Sequence, residues 1–346
     1  MVETENIKLT QFSHGAGCGC KIAPDVLERM LHTDVEQAKF KSLLVGNESK
    51  DDAAVFDIGN GTCIISTTDF FMPIVDDPFT FGSIASVNAI SDVYAMGGEP
   101  IMAIAILGWP IGKISPEVAK SVLEGSRNIC TNAGIPLAGG HSIDCPEPIF
   151  GLAVTGKVKK ENLKRNDAAR ASSLLYLTKP LGIGIITTAQ KKGIVHNEHL
   201  KAAVDSMLRL NSLGSDFGTL PYVNAMTDVT GFGLLGHLCE VCEGSGLSAE
   251  IDFAKIPVFD FLESYLKQKS TPGGTGRNWN SYGGKISALT EDQKSILSDP
   301  QTSGGLLVSV NEEDAVLFEE FGQKKGILLK PFGRLVPKNR HVVSVN

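Results

Sequence analysis

The residues of this sequence with the clearest chemical potential are carboxylates at the ends of predicted elements or beside small residues. Such loop-end carboxylates commonly bind Mg²⁺, because this ion takes oxygen ligands and accompanies phosphate groups. The competing interpretation is that acids such as Asp51, Asp52 and Asp92 cap helices or stabilise turns. Their wide separation in sequence leaves both interpretations open. The four carboxylates of interest are Asp52, Asp69, Asp92 and Asp228.

A second signal is the glycine-rich run HGAGCGCK at residues 14–21, which carries two thiols and a lysine. It has no periodicity and predicts a mobile loop. It fails the P-loop pattern, because Ile22 follows Lys21 where Ser or Thr should bind Mg²⁺. A nearby Lys21 favours the thiolate of Cys18 or Cys20, which is a soft nucleophile. The alternative is a disordered glycine-rich tail with incidental thiols.

Two short motifs near residue 235 have weaker functional interpretations. The segment GFGLLG at 231–236 matches the dinucleotide pattern G-x-G-x-x-G. It follows only a short predicted strand, and Asp228 precedes the turn where an apolar residue is usual, so we favour a strand end that delivers Asp228 to a helix N-terminus. Cys239 and Cys242 fall within an apolar helix and predict buried free thiols rather than a redox or zinc site.

Glycine-rich turns provide further candidates for phosphate contact. Gly140, His141 and Ser142 follow a predicted strand, and the exposed amides of such a turn suit phosphate or ribose. The segments at 271–278 and 299–305 are similar in composition and are equally consistent with plain turns. Arg277 in the first of them offers a planar fork to a phosphate group.

The elements that would position these residues begin with a hairpin. Strands at 53–58 and 62–68 flank Gly59-Asn60-Gly61, and Asn-Gly is the strongest short hairpin signal. A helix is predicted at 79–96, closed by a glycine pair. Polar residues 159–172 look like a link, after which the strand and helix pattern restarts.

We therefore predict two mixed α/β units, at 51–160 and 170–346, preceded by a flexible segment at 1–50. The 346 residues suit two domains. The net charge of −7 argues against a nucleic-acid partner. The polar first ten residues predict no secretory signal, and no apolar stretch approaches the roughly 18 residues of a membrane span. Seven scattered cysteines favour a reducing cytoplasm.

Several segments, in order along nearly the whole chain, resemble the selenide, water dikinase family (selenophosphate synthetases). The wider superfamily, typified by aminoimidazole ribonucleotide synthetase, shares the acid-and-glycine plan but lacks a Cys/Lys run such as that at 14–21. The matching segments are HGAGCGCK (14–21), DDAAV (51–55), TTDFF (67–71), NAISDVYAMGG (88–98), AGGHSID (138–144), MTDVTGFGLLGH (226–237), PGGT (272–275) and DPQTSGG (299–305).

This resemblance implies a mixed α+β fold of two domains. The N-terminal sheet domain would bind ATP and Mg²⁺ and form a homodimer through its sheets, and the C-terminal domain would be an α/β sandwich. The implied reaction turns ATP, selenide and water into selenophosphate, AMP and phosphate, supplying selenium for selenoproteins and selenouridine. More than one Mg²⁺ ion and transient selenium-delivery proteins are implied as well, with no nucleic-acid or membrane partner.

The resemblance also implies roles for individual residues. Cys18 takes the position that the family fills with Cys or selenocysteine, and Lys21 that of the nearby essential basic residue. The implied magnesium ligands are Asp52, Asp92 and Asp228. The implied nucleotide contacts are Lys21, Ser49, Lys50, Asp51, Asp69 and Asp92, with Gly140, His141 and Ser142 reaching the nucleotide across the dimer.

Two other functions stay open at this point. One is a different ATP-using enzyme of the same superfamily that makes a purine or thiamine intermediate, against which the run at 14–21 argues. The other is a non-catalytic thiol or metal-binding module built on four cysteines, namely Cys18, Cys20, Cys239 and Cys242.

Overall fold

The computed structural model describes residues 7–22, 24–32, 40–46 and 51–346. The chain forms two sheets of six strands each, with helices packed against them. This architecture confirms the mixed α/β class predicted from the sequence. None of the helices in the described ranges combines the length and the hydropathy that a membrane span requires.

The first sheet is built around the predicted hairpin. Gly59, Asn60 and Gly61 have φ values of 89°, 55° and 71°, and this left-handed backbone suits glycine and asparagine. The return strand runs past its predicted end, so Asp69 lies inside it rather than just beyond it. In the spatial order β1-β2-β3-β6-β4-β5, the strands are β1 (Leu43–Val45), β2 (Ala54–Gly59), β3 (Thr62–Phe71), β4 (Glu99–Trp109), β5 (Leu137–Asp144) and β6 (Ile149–Lys159).

The second sheet is antiparallel apart from one parallel pair, β12 with β9. Its edge strand β8 is buried along its whole length and ends at Asp228, because the first domain covers it. In the spatial order β12-β9-β11-β7-β10-β8, the strands are β7 (Leu174–Leu177), β8 (Val223–Asp228), β9 (Leu247–Ile251), β10 (Leu306–Val310), β11 (Gly333–Pro337) and β12 (Val343–Val345).

Helix starts follow the local sequence signals. Pro116 opens the third helix, and Glu117 in its first turn complements the helix dipole. Ser115 precedes them, although its hydroxyl makes no capping hydrogen bond. The helices are α1 (Pro24–Leu31), α2 (Pro78–Ala95), α3 (Pro116–Asn132), α4 (Ile183–Lys191), α5 (Asn197–Leu208), α6 (Leu213–Gly218), α7 (Gly233–Ser245), α8 (Leu262–Lys267), α9 (Gly273–Tyr282), α10 (Glu291–Leu297) and α11 (Ala315–Lys324).

Helix α2 lies between the two domains. The Asp77 carboxylate caps its start by accepting from the backbone N–H of Thr80 at 2.7 Å. Every residue from Phe81 to Ala95 is buried, because one side of the helix packs on β3 and β6 while the other meets β8, α5 and α6. A helix without a solvent face must be apolar or small all round, and its few polar side chains therefore stand out.

The face of the first sheet that points away from α2 exposes apolar side chains. Ile104 is 44% exposed and Ile143 is 59% exposed, whereas Ala103 and Ala105, the neighbours of Ile104 on the other face, are buried. Strand alternation places such residues from four strands on one side. We call this surface the open face, and its large exposed apolar residues are Phe56, Ile58, Phe70, Met102, Ile104 and Ile143.

The segment at 7–22 packs against both domains. Leu9 is fully buried and its N–H donates to Asp76 O, while residues Gly17–Cys20 form a single 3-10 turn. Gly17 has a φ of 48°, and a Cβ there would lie 2.3 Å from Thr302 Oγ1. The glycines of this run thus permit close packing onto the second domain.

The link between the two domains is exposed in part and buried in part. Lys157, Lys159 and Lys160 are exposed, but Lys164 is only 7% exposed and its Nζ donates to Leu220 O at 3.1 Å. The reason is that this segment crosses from the first sheet to the second domain beside the end of α2, where Lys164 N also donates to Met96 O.

The segment DPQTSGG at 299–305 fixes the start of α4. The buried Asp299 carboxylate accepts from Gly184 N at 2.9 Å, and Gln301 Oε1 accepts from Ile183 N at 3.2 Å. These bonds satisfy N–H groups that have no partner inside the helix. Burial raises the pKa of Asp299 to about 8.

We expect Asp299 to make the protein less stable as pH rises from about 5 to about 8. Unfolded aspartate ionises near pH 4, while the folded carboxyl keeps its proton up to about pH 8. The folded state therefore binds more protons in this window, which lowers the free energy of unfolding by up to about 1.4 kcal/mol per pH unit. Urea unfolding at several pH values should show a flatter slope for Asp299→Asn, and an unchanged slope would contradict this assignment. Exposed Asp260→Asn serves as the control.

Candidate active site

The four carboxylates singled out in the sequence come together at the junction of the two domains. They border one cavity of about 170 Å³, which we call the carboxylate cavity. Each comes from a different element: Asp52 precedes β2, Asp69 lies on β3, Asp92 on α2 and Asp228 at the end of β8. The last three are 7%, 8% and 1% exposed, respectively. The long-range convergence left open by the sequence is therefore present.

Like charges dominate the electrostatics of this cavity. Burial raises the pKa of Asp52, Asp92 and Asp228, and the charge of Asp228 raises the pKa of the other two further. Lys21 reaches in from the glycine-rich segment, and its Nζ donates to Asp69 Oδ2 at 3.2 Å. Burial alone would lower the pKa of Lys21, but the surrounding carboxylates, Asp69 foremost, raise it overall. The ammonium is thus held protonated.

Two carboxylate oxygens of this group have no hydrogen-bond partner within the described residues. Thr227 Oγ1 donates to Asp52 Oδ1 at 2.7 Å and Thr67 Oγ1 donates to Asp92 Oδ2, but Asp52 Oδ2 and Asp228 Oδ2 are buried and unpartnered. Unpartnered buried carboxylate oxygens are suited to a hard cation. Across the described ranges, however, no three Asp, Glu, His or Cys side chains already surround a common metal position.

A chain of hydrogen bonds connects the thiol of Cys18 to Lys21. Cys18 Sγ donates to Asn88 Oδ1 at 3.3 Å, and Asn88 Nδ2 donates to the same Asp69 oxygen that accepts from Lys21. The Cys18 N–H donates to Thr302 Oγ1 at 3.0 Å. Residues of both domains and of the segment at 7–22 are thereby tied together.

The expectation that Lys21 favours a thiolate at Cys18 is wrong for this arrangement. Cys18 is only 1% exposed, and burial raises the pKa of its thiol well above the usual range. The Asp69 carboxylate raises it further, and Lys21 lowers it by less. The cation is already paired with Asp69, so its influence on the sulfur is largely cancelled. The thiol is therefore protonated and acts as a hydrogen-bond donor to Asn88.

Sequence reasoning did not single out Asn88, Thr67, Thr227 or Thr302 as site residues. Asn88 had a signal that could have been used, because it lies four residues before Asp92 and shares its helix face. The threonines had none, since hydroxyls are common in strands and turns, and only the tertiary fold shows which of them face a carboxylate or an active-site backbone group.

A larger cavity of about 490 Å³ adjoins the carboxylate cavity, and the two share Asp51, Asp52, Thr67 and Phe232 among their lining residues. Its far wall is formed largely by α7 and α9 and includes Tyr282. Its volume is of the size usual for small-molecule and cofactor sites. We call it the adjoining cavity.

Three other predicted nucleotide contacts, Gly140, His141 and Ser142, are not near these cavities in the same chain. Gly140 lies in register with Ala105, Leu152 and Asp69 across the sheet, three strands and roughly 14 Å from Asp69. His141 follows it and is exposed on the open face. Ser142 is on the same edge strand, β5. Ser49 and Lys50 lie outside the described residues.

Other motifs have structural roles. Cys239 and Cys242 are buried in α7, and burial raises the pKa of the Cys242 thiol to about 12, so the prediction of buried free thiols is confirmed. The GFGLLG segment follows β8, whose neighbour β10 is antiparallel, so the parallel unit of a dinucleotide fold is absent there. Arg277 lies elsewhere, and its guanidinium donates to Gly19 O at 2.7 Å.

We expect Asp228→Asn to increase stability in the absence of divalent cations. The substitution keeps the side-chain shape while removing one of several buried like charges, so the free energy of unfolding should rise by on the order of 1 kcal/mol. Thermal and urea unfolding in EDTA at pH 8 would measure it, with Asp260→Asn on the surface as the control. A less stable Asp228→Asn protein would show that repulsion does not dominate the cavity.

Comparison with known families gives two adjacent matches. Residues 50–158 match the family described as AIR synthase related protein, N-terminal domain, and residues 170–346 match the corresponding C-terminal domain. Together they span most of the chain, and the boundary between them falls at the link between the two sheets.

Close relatives share this sequence over nearly its full length. The chain is 59% identical to a selenide, water dikinase from Photorhabdus laumondii over 342 residues, covering 98% of this chain and 99% of the relative. It is 58% identical to a selenide, water dikinase from Pseudomonas putida over 342 residues, covering 99% of both chains.

Solved structures with much lower sequence identity share the fold. A thiamine-monophosphate kinase from Stenotrophomonas maltophilia is 18% identical with a TM-score of 0.65, covering 93% of this chain and 94% of that one. The hydrogenase maturation protein HypE in complex with ATP is 14% identical with a TM-score of 0.63, covering 98% and 94%.

Proposed function

Because the chain belongs to the selenide, water dikinase family, we propose that its carboxylate cavity is where a phosphoryl group of ATP is transferred. The overall reaction makes selenophosphate from selenide, ATP and water. One observation carries the assignment to this cavity. Buried carboxylates with unpartnered oxygens stand beside a space large enough for a nucleoside, and both Lys21 and, through Asn88, the thiol of Cys18 are linked to Asp69.

Asp52, Asp92 and Asp228 would hold Mg²⁺ in this cavity, and several carboxylates suit more than one ion. ATP carries about four negative charges, which unneutralised acids would repel. When bound, Mg²⁺ neutralises charge on the phosphates and on the transferred group. The carboxylates repel one another as they stand, so they would draw together only when a cation is present.

The nucleoside part of ATP would occupy the adjoining cavity, beside Phe232 and Tyr282, with its phosphates directed toward Lys21. Lys21 would contribute a point charge to the terminal phosphates, and Asp51 and Asp69 would contact the nucleotide. Asp69 already fixes the Lys21 ammonium, so the cation is positioned before the substrate arrives. Ser49 and Lys50 precede Asp51 in sequence and would add contacts at the same end.

Cys18 would handle the selenium substrate once its thiol is released from Asn88. In its buried position the thiol is protonated and shielded from water. Exclusion of water from the site would also keep water from intercepting the phosphoryl group. Movement of the segment at 14–21 would both admit selenide and allow the sulfur to ionise. We propose AMP and phosphate as the other products, so water must enter at a later step. We also propose that the selenophosphate supplies selenoprotein and selenouridine synthesis.

A homodimer through the open face would complete the site. This face exposes Phe70, Ile104 and Ile143 on one side of a sheet, and contiguous exposed apolar residues mark protein–protein contacts. Gly140, His141 and Ser142 lie at its edge, away from the carboxylates of their own chain. In a dimer they would reach the nucleotide of the partner.

Other binding partners are inferred from the chemistry of the reaction rather than from an exposed surface of the protein. Selenide is reactive and oxidised easily, so we propose transient delivery by selenium-carrier proteins. The net charge of −7 gives no reason to expect a nucleic acid. The need for free thiols at Cys18 and Cys20 suits the cytoplasm.

Anaerobic incubation with ATP, Mg²⁺ and selenide, followed by ³¹P NMR, tests the function directly. We expect a new phosphorus signal bonded to selenium and AMP that forms only when selenide is present. Cys18→Ser should lose the selenophosphate signal while still binding ATP, because serine cannot supply a soft nucleophile. Cys145→Ser is the matched control, since its thiol donates only to Glu147 O outside the cavity.

Two results would contradict this function. ADP without the selenium-bonded signal would indicate a related enzyme that phosphorylates another substrate. An absence of nucleotide turnover, together with Zn²⁺ that persists through dialysis, would indicate a thiol or metal-binding module.

We expect Ile104→Glu to separate the dimer, because it places a charge in the middle of the open face. Light scattering after size exclusion should give the mass of two chains for the unaltered protein and of one chain for the variant. The affinity for ATP should also fall in this variant, because His141 would no longer reach the partner's nucleotide. Leu328→Glu, at a residue 78% exposed in the second domain, should stay dimeric. A dimeric Ile104→Glu protein would exclude this face.

A further inference from the structure

A third cavity, of about 310 Å³, lies between the glycine-rich segment and the second domain. Gly15 and Gly19 of the segment form part of its wall, and α4 and α9 form much of the rest. It shares no lining residue with the carboxylate cavity, although the same segment borders both. We call it the cationic cavity because of the charges described next.

The lining of the cationic cavity carries positive charge and no carboxylate. Lys191 on α4 and Arg277 on α9 border it, with His14 at its rim. Within the described ranges neither Lys191 nor Arg277 forms an ion pair with an acid. The nearby acid Asp76 accepts hydrogen bonds from Thr10 and Gln190. The nearby acid Glu147 is paired with His14 at 2.9 Å. Such a concentration of unpaired positive charge is unusual in a chain whose net charge is −7.

Among the described residues, the side chain of each of these two cations makes one hydrogen bond, and both bonds are with the segment. Lys191 Nζ donates to Gly15 O at 2.8 Å, and Arg277 donates to Gly19 O at 2.7 Å. An ammonium has three donors and a guanidinium has five, so most of their capacity is unused. Gly15 and Gly19 lie on either side of Cys18, and the two cations therefore hold the segment over the buried thiol.

Hydroxyl groups complete the donor set of the cavity. Thr188 on α4, Thr271 before α9 and Thr302 in the 299–305 segment border it. Thr187 borders it too, but its hydroxyl donates to Ile183 O inside α4. Thr302 also accepts the N–H of Cys18 at 3.0 Å, which joins this wall to the catalytic thiol. Two cations and several hydroxyls around a small volume are the groups that recognise a tetrahedral oxyanion.

We propose that the cationic cavity binds a free inorganic dianion of the phosphate class, and that its binding releases the segment at 14–21. Lys191 and Arg277 then transfer their hydrogen bonds from the carbonyls of Gly15 and Gly19 to the anion. A hydrogen bond from a cation to an anion is stronger than one from the same cation to a neutral carbonyl, which makes the exchange favourable. The inference rests on the proposed function only in naming that reaction as the source of the anion: orthophosphate and selenophosphate are both of this class.

Orthophosphate binding can be measured directly by equilibrium dialysis in EDTA, without nucleotide or selenide. We expect one saturable site per chain, with Lys191→Gln and Arg277→Gln each weakening it by about tenfold or more. Lys191→Arg keeps the charge and should retain binding. Lys192→Gln is the matched control, because this neighbouring lysine donates to Lys269 O, outside the cavity.

Three results of this experiment would overturn the site. They are the absence of saturable binding, an affinity in the Lys191→Gln and Arg277→Gln variants equal to that of the unaltered protein, and weaker binding in Lys192→Gln. AMP carries the same phosphate group on a nucleoside, so AMP binding that depends on Lys191 as strongly as orthophosphate binding would overturn the assignment to a free anion. The assay contains no ATP, selenide or Mg²⁺, so its failure would leave the ³¹P NMR result on the main reaction untouched.

Release of the segment has its own readout in the alkylation rate of Cys18 by iodoacetamide, followed by peptide mass spectrometry. Orthophosphate should raise this rate several-fold, while fully buried Cys63 in β3 serves as an internal reference. In Lys191→Gln the rate should already be high and should not respond to orthophosphate. An unchanged or slower rate in the unaltered protein would overturn the release step.

Discussion

Acidic side chains from four separate elements are buried together at the junction of the two sheets, and their mutual repulsion constrains the structure around them. The fold opposes that repulsion with specific contacts: Lys21 against Asp69, and threonine hydroxyls against Asp52 and Asp92. Two oxygens remain unpartnered. A site that is electrostatically incomplete in this way is suited to a cation and a phosphate together, because each compensates the charge of the other.

Helix α2 makes this burial possible. It is enclosed by both domains, so its polar side chains have no route to solvent and must find partners inside the protein. Asn88 binds the thiol of Cys18 and the carboxylate of Asp69, and Ser91 accepts from Asn211 of the second domain at 2.8 Å. Small shifts of the second domain would therefore reach the helix that contacts Cys18 and Asp69 directly, without an intermediate layer of side chains.

Much of this arrangement could be predicted from the sequence, and the limits have physical causes. Local sequence signals that favour a single backbone conformation, such as Asn60-Gly61 in the hairpin, identified their elements correctly. Asp69 was placed just outside its strand, because strand ends depend on pairing with β6 rather than on composition. The protonated state of Cys18 could not be foreseen, since burial outweighs a neighbouring lysine only when the fold is known. Residues 14–21 looked like a loop because their order comes from the second domain.

The distance along the chain between Cys18 and Thr302 has a consequence for synthesis on the ribosome. The two residues are 284 positions apart, so Cys18 is translated long before Thr302, which accepts its backbone hydrogen bond. Translation adds roughly 5–20 residues per second and domains fold as they emerge, so the first sheet can form well before Thr302 is synthesised. During that interval the thiol has no shelter from the second domain. A nascent chain is thus exposed to oxidants at the very residue that the finished protein buries.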